Sequence, residues 1–192
     1  MIHFLGAVDQ SVLDFLYGLR TLPLTYFFID VSEFGRWQLL LPFTAVLTLW
    51  FLVKGRFADT AGLVVAVLGS GAAVLALKLL IERPRPPFHY QAYGGELYPS
   101  FPSAHAALAA ALYLFLAYLL TQSKSTALRR FVIGFLPILA LTVAFSRLYL
   151  GVHYLSDVVT GCLIGALFFS LAIRTRLTFL GKYRGNRDHD IP

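Results

Sequence analysis

Charge and cysteine are what this sequence has least of. Among 192 residues only 14% are charged, against about 25% in an ordinary soluble domain. Cys162 is the one cysteine. It excludes an intrachain disulfide and any cysteine-rich metal or redox centre. There is no internal repeat and no low-complexity tract. The N-terminus, MIHFLGAVDQ, lacks a basic region, a long apolar run and a small-residue cleavage site. A cleavable signal peptide is therefore not expected. Nowhere do apolar and polar residues alternate over strand-length segments separated by turns, which excludes a membrane β-barrel.

What is abundant is apolar surface. Hydrophobic residues make up 58% of the chain, and mean hydropathy is +0.71. A soluble domain of this length cannot bury so much in one core, so the composition predicts an integral membrane protein. A spanning helix needs about 20 apolar residues. Five stretches qualify: 37–53, 60–80, 104–121, 131–148 and 154–173. The predicted fold is an all-α polytopic bundle of five strong transmembrane helices, or six. In the first 35 residues Phe4, Val8, Val12, Phe15, Leu16 and Leu19 recur at helical spacing, with Asp9, Gln10, Ser11 and Asp14 between them. That pattern predicts an amphipathic helix lying in the interface. Leu22–Phe34 is apolar but short and carries Asp30 and Glu33. It reads as a re-entrant or interfacial helix, or as half of a sixth span joined to what precedes it. The expected organisation is an N-terminal segment 1–35, a transmembrane domain 36–176 and a basic tail 177–192.

The net charge of +6 would suggest nucleic acid in a soluble chain. Here it sorts by side. With five spans, Lys54, Arg56, Lys124, Arg129, Arg130, Arg174, Arg176, Lys182, Arg184 and Arg187 share one face. The positive-inside rule puts these ten in the cytoplasm, and no nucleic-acid partner is needed to explain them. The 81–102 loop and the 149–153 turn then face outward. That loop carries five of the nine prolines and Phe88, Tyr90, Tyr93, Tyr98 and Phe101. Its aromatics read either as an interfacial belt or as a cover for a site.

The polar residues beside the loop are harder to assign to anchoring, because ionisable groups near membrane depth are costly and mark functional sites. Lys78 lies late in the second span, followed by Arg83 and Arg85. Ser103, Ala104 and His105 open the third. Arg147 closes the fourth, and His153 and Asp157 begin the fifth. Alone, Lys78 reads as a snorkelling anchor, Arg83 and Glu82 as local charges, and His153 with Asp157 as a structural pair. Together they suit one task. Lys and Arg bind a multiply charged oxyanion. Ser103 is an expected N-cap at a helix start that favours phosphate. Asp157, one turn from His153, can hold its Nδ1–H and leave Nε2 as nucleophile or base. His105 can protonate a leaving oxygen. Phosphate-binding cations on all sides argue against a metal. Gly69, Ser70, Gly71, Ala72 and Ala73 predict close helix packing. Gly161 and Gly165 offer either the same or a homodimer face.

These residues resemble the three signature motifs of the type-two phosphatidic acid phosphatase superfamily, the lipid phosphate phosphatases. Lys78, Arg85 and Pro86 match Lys, six residues, Arg-Pro. Pro102, Ser103 and His105 match Pro-Ser-Gly-His, with Ala104 in the glycine place. Ser146, Arg147, His153 and Asp157 match Ser-Arg, five residues, His, three residues, Asp. The resemblance covers about residues 35–175. It implies a metal-independent phosphatase without cofactor, in which His153 forms a phosphohistidine oriented by Asp157. His105 would serve as acid and then base, and Lys78, Arg85, Ser103, Ala104 and Arg147 would hold phosphate. It also implies the bacterial cytoplasmic membrane and a lipid substrate in the outer leaflet. Undecaprenyl pyrophosphate is the first choice. Phosphatidic acid, phosphatidylglycerophosphate, a lipid A phosphate and phosphotransfer are the enzymatic alternatives. A lipid-binding scaffold or transporter is the non-enzymatic one.

Overall fold

The computed structural model describes residues 2–94, 98–122 and 126–189. Among these the chain is helical, with α1 (Ile2–Gly18), α2 (Leu22–Glu33), α3 (Trp37–Val53), α4 (Phe57–Val64), α5 (Ser70–Ile81), α6 (Ala104–Thr121), α7 (Thr126–Tyr149) and α8 (Leu155–His189). A π-helical turn, Val65–Gly69, joins α4 to α5, and a short 3₁₀ turn, Phe88–Tyr90, lies in the loop after α5. Among the described residues five stretches are long and apolar enough to cross a bilayer: Leu22–Val53, Phe57–Ile81, Ala104–Thr121, Arg129–Tyr149 and Leu155–Lys182. The bundle is therefore the expected five-span one. One detail differs: α2 continues into α3 through the break at 34–36 instead of joining the segment before it.

The bundle is built around α6. Eleven of its eighteen residues are buried, including five alanines from Ala106 to Ala111 and a sixth at Ala117, with Leu108, Leu112 and Phe115. Small side chains let neighbouring backbones approach closely where lipid offers no hydrophobic drive to association. The partner surface on α8 is the glycine pair. A Cβ at Gly161 would stand 2.5 Å from the Ser103 carbonyl oxygen, and one at Gly165 would stand 2.6 Å from both the Ala107 carbonyl oxygen and Ala110 Cβ. These glycines are thus consumed within the chain, so that face of α8 is not available to a second copy. The outer helices turn Leu39, Val46, Leu49, Leu79, Leu141, Leu163 and Leu167 outward, a wide apolar band suited to lipid and not to water.

The π turn carries its own hydrogen-bond solution. Ser70 Oγ donates to the Ala66 carbonyl at 2.6 Å and to the Val67 carbonyl at 3.1 Å. This satisfies backbone acceptors that an irregular turn would otherwise leave bare at membrane depth. Gly69 on the same turn faces the Phe168 ring of α8.

The two ends add detail that the sequence did not carry. The N-terminal helix is tied to the rest of the molecule. It packs on the bundle through Val12 and Leu16 against Ala106, Ala144, Leu148 and Val158. Its buried stripe is Asp9, Leu13 and Leu16, while Phe15 and Leu19 are exposed. What the sequence pattern did not show is that Asp9, counted there among the polar residues, faces the bundle. At the other end no structural break falls at 176. The last helix runs on to His189, 35 residues in all or about 52 Å, well beyond a hydrocarbon core of about 30 Å. Lys124 and residues 190–192 lie outside the described residues.

The α6–α8 contact predicts an asymmetry between glycines. Gly165→Ala should lower the thermal midpoint in detergent by roughly 3–10 °C. Gly181→Ala, where a Cβ meets nothing within 4 Å, should leave it unchanged or slightly raised. Equal midpoints for the two variants would mean that α8 does not sit on α6 in this way.

Candidate active site

Four helix ends converge on one side of the bundle. α5 ends at Glu82, whose backbone is left-handed at φ 46°, ψ 34°. This conformation is uncommon for a residue with a Cβ. It turns the chain so that Arg83 and Arg85 leave the helix toward α8. The turn between α7 and α8 bends at Gly151, at φ +66°, where a Cβ would collide with the Tyr90 carbonyl and the Arg20 guanidinium. Glycine is required there on both counts, and His153 follows two residues later.

His153 is 2% exposed and Asp157 is 0% exposed. Nδ1 of His153 faces Asp157 Oδ2 at 3.4 Å, and Nε2 faces Arg85 Nη1 at 3.4 Å. Arg85 is itself aimed by backbone: its Nε donates to the Tyr98 carbonyl at 2.9 Å and its Nη1 to the Val152 carbonyl at 2.8 Å. One ring nitrogen thus meets a carboxylate and the other meets a cation. Burial pushes the imidazole down to about 3, opposed by the Asp157 hydrogen bond and reinforced by the charges of Arg147 and Arg85. His153 is therefore neutral at physiological pH, the form a nucleophile needs.

Asp157 is held from several segments at once. Arg83 Nη1 donates to Oδ1 at 2.6 Å. Oδ2 accepts from the Tyr154 N–H at 2.9 Å and from the Ser100 hydroxyl. The Asp157 carbonyl accepts from the Ser103 N–H at 3.0 Å, which fixes the start of α6 beside the start of α8. Ser103 stands at the N-cap position as expected, but its hydroxyl makes no capping bond. Ser103 Oγ is buried without a hydrogen-bond partner among the described residues. Such a hydroxyl is costly unless something else supplies an acceptor. Ala104 begins the helical run of α6, and positive φ among described non-glycine residues occurs at Glu82. A glycine-only conformation is thus not needed at the position where the motif has glycine.

The other expected residues lie around this centre. Lys78 is not a snorkelling anchor. It is buried, and Nζ donates to the Pro99 carbonyl and, at 3.4 Å, to the Ser100 carbonyl. Arg147 is 1% exposed and donates to Ser32 Oγ on α2 and to the Tyr93 hydroxyl of the loop. His105 is half-buried beside Gly35 and Val143, within electrostatic reach of Arg147, His153, Arg85 and Arg36. Lys78, Arg85, Ser103, His105, Arg147, His153 and Asp157 thus come together, while the Ser146 hydroxyl is turned to the Val143 carbonyl of its own helix at 2.6 Å. Among the described residues no three His, Cys, Asp or Glu side chains converge as metal ligands would.

Sequence reasoning missed the residues that hold these in place: Asp9, Ser32, Tyr93, Ser100 and Ser156. It also missed the role of Arg83, which binds Asp157 instead of remaining a local charge. Only Asp9 left a readable signal, since it shares a helical stripe with Leu13 and Leu16 at spacings of four and seven.

Comparison with known proteins gives the family and the fold. The PAP2 superfamily model matches residues 59–180. A solved structure, the first transmembrane PAP2-type phosphatidylglycerolphosphate phosphatase from Bacillus subtilis, is 28% identical with a TM-score of 0.77, covering 87% of this chain and 83% of that one. LpxE of Aquifex aeolicus shares the fold, at TM-score 0.65 and 23% identity over 86% of this chain and 94% of that one. Phosphatidylglycerophosphatase B of B. subtilis (strain 168) is 38% identical over 100 residues, 50% of this chain. The match spans 47% of that relative's length. Lipid A 4′-phosphatase of Bacteroides thetaiotaomicron is 29% identical over 192 residues, covering 90% of this chain and 80% of that protein.

The buried imidazole has a consequence for acid stability. Between about pH 3 and 6.5 the unfolded histidine binds a proton that the folded one refuses, so stability falls as pH falls through that range. The thermal midpoint in detergent should drop from pH 7 to pH 5, and should drop less for His153→Asn. An equal or steeper drop in the variant would show that His153 is not held neutral.

Proposed function

The chain belongs to the PAP2 superfamily, and on that footing we propose that it is a membrane-embedded lipid phosphatase working through a phosphohistidine, without metal or cofactor. The observation that carries this reading is the His153 imidazole, neutral and held between Asp157 on Nδ1 and Arg85 on Nε2.

Nε2 of His153 attacks phosphorus as the bond to the lipid oxygen breaks, and His105 gives that oxygen its proton. Water then attacks the phosphohistidine, His105 takes the water's proton, and inorganic phosphate leaves with His153 restored. Arg85, Arg147 and Lys78 stabilise charge on the phosphoryl oxygens. Ser103 Oγ and the free N–H groups at the start of α6 supply further donors. Asp157 holds His153 in the right tautomer and supports the positive charge the ring gains.

A groove supports the lipid part of the proposal. A cavity of about 330 Å³ is lined by Trp37, Leu41, Leu68, Leu75, Lys78 and Ala104. Its apolar walls lie on the lipid-facing surface, where Trp37, Leu68 and Leu75 are each about half exposed. It reaches the catalytic side at Lys78 and Ala104. An acyl or isoprenoid tail fits the groove while the headgroup lies among the cations. Arg83, the cation that a second phosphate would need beside Arg85, is engaged by Asp9 and Asp157. A phosphomonoester headgroup such as that of phosphatidylglycerophosphate therefore ranks ahead of undecaprenyl pyrophosphate.

The proposed orientation places the site at the outer face of a bacterial cytoplasmic membrane. The support is charge: the exposed Lys54, Arg129, Arg130 and Lys182 lie at the helix ends opposite the site.

Two experiments test this. Purified protein should release phosphate from at least one of phosphatidylglycerophosphate, phosphatidic acid, undecaprenyl pyrophosphate or lipid A, and should do so in EDTA. His153→Ala should be slower by about 10³-fold or more. Equal rates for variant and wild type on every lipid would defeat the enzymatic reading, and loss in EDTA restored by Mg²⁺ would defeat the metal-free one. For orientation, His89→Cys in a Cys162→Ser background should react with an impermeant maleimide on intact cells. Labelling only after lysis reverses the topology.

A further inference from the structure

Asp9 is 3% exposed and belongs to α1, outside residues 59–180 that the family model matches. Its Oδ2 accepts from Arg83 Nη2 at 2.8 Å and from Ser156 Oγ at 2.6 Å, and its Oδ1 accepts from the Ser156 N–H at 2.8 Å. Arg83 extends its other arm, Nη1, to Asp157 Oδ1 at 2.6 Å and to Ser156 Oγ at 2.7 Å. The Tyr154 ring lies under the guanidinium, 4.1 Å from carbon to centroid. A single cation is thus shared between two buried carboxylates, one on the N-terminal helix and one beside the nucleophile.

This sharing matters for the reaction. Asp157 can support a positively charged His153 only with negative charge that Arg83 has not neutralised. Asp9 draws one arm of the guanidinium away and balances part of its charge. It also accepts from the first turn of α8, where it acts as an N-cap supplied by another helix. That contact fixes the turn carrying Asp157.

Resting on the phosphohistidine reading above, we infer that Asp9 is a positioning residue for this reaction: through Arg83 and Ser156 it sets the place and charge of Asp157, which makes the N-terminal helix a working part of the active site. Asp9 touches neither substrate nor reacting atoms, so its removal acts on turnover and not on substrate binding. An Arg83 variant is the poorer probe, since it would leave two buried carboxylates without their cation.

The test uses the full chain in detergent with ³²P-labelled phosphatidic acid or phosphatidylglycerophosphate, whichever it hydrolyses. Active sites are counted by the phosphoenzyme trapped on rapid quench. Asp9→Asn should lower kcat per active site about tenfold or more, with KM within about twofold. Asp9→Glu should recover part of the loss. Ser156→Ala, which removes one hydroxyl, should lower kcat in the same sense and serves if Asp9→Asn does not fold. Wild-type kcat per active site in Asp9→Asn, or in Ser156→Ala where that is the variant read, overturns the inference. So does a loss explained wholly by fewer active sites. His153→Ala separates the two levels. If it forms no phosphoenzyme while Asp9→Asn turns over normally, only the inference fails. If it turns over like wild type, the phosphohistidine reading fails and the inference with it.

Discussion

A carboxylate buried to zero exposure inside a membrane bundle governs this structure. An unpaired Asp157 would cost several kcal/mol, so the fold surrounds it with donors. They come from the loop after α5 (Arg83, Ser100), the turn before α8 (His153) and the backbone of Tyr154. The Asp157 carbonyl then takes the Ser103 N–H and draws the start of α6 to the same point. Three motifs far apart in sequence meet because one charge must be satisfied. The same donors leave His153 with a carboxylate behind it and a guanidinium in front.

Holding such a site at a bundle end demands rigid helices beneath it. Rigidity in lipid comes from close packing, since apolar burial gives little preference for protein over lipid tails. Hence the alanine-rich α6 and the Gly161 and Gly165 surface of α8, where backbones lie nearly in contact. The π turn of Val65–Gly69 is the irregular part of this framework, with Ser70 returning its hydrogen bonds to the chain. The groove that ends at Lys78 begins at this turn, through Val67 and Leu68.

Motif residues were legible because their types are costly where they occur. Lys78, Arg85, His105, Arg147, His153 and Asp157 all stand at the ends of apolar runs, and their spacing matched a known pattern. Their supports were not legible. Ser100, Ser32 and Tyr93 are ordinary loop or helix residues until their hydroxyls are seen against Asp157 or Arg147. Asp9 was missed for a physical reason: a carboxylate in an amphipathic pattern is assigned to water unless a partner is known, and its partner lies 74 residues away.

By itself, the sequence determined that the chain is a membrane helical bundle of five spans, and it singled out the charged and histidine side chains that the fold brings together at one end. Composition, span length and motif spacing are local properties that survive without coordinates. Only the tertiary structure decided the rotation of the N-terminal helix, the use of the α8 glycines within the chain, the burial of Lys78, and the sharing of Arg83 between Asp9 and Asp157. Each of these depends on which surfaces meet, and a buried charge chooses its partners by distance in space, which no spacing along the chain records.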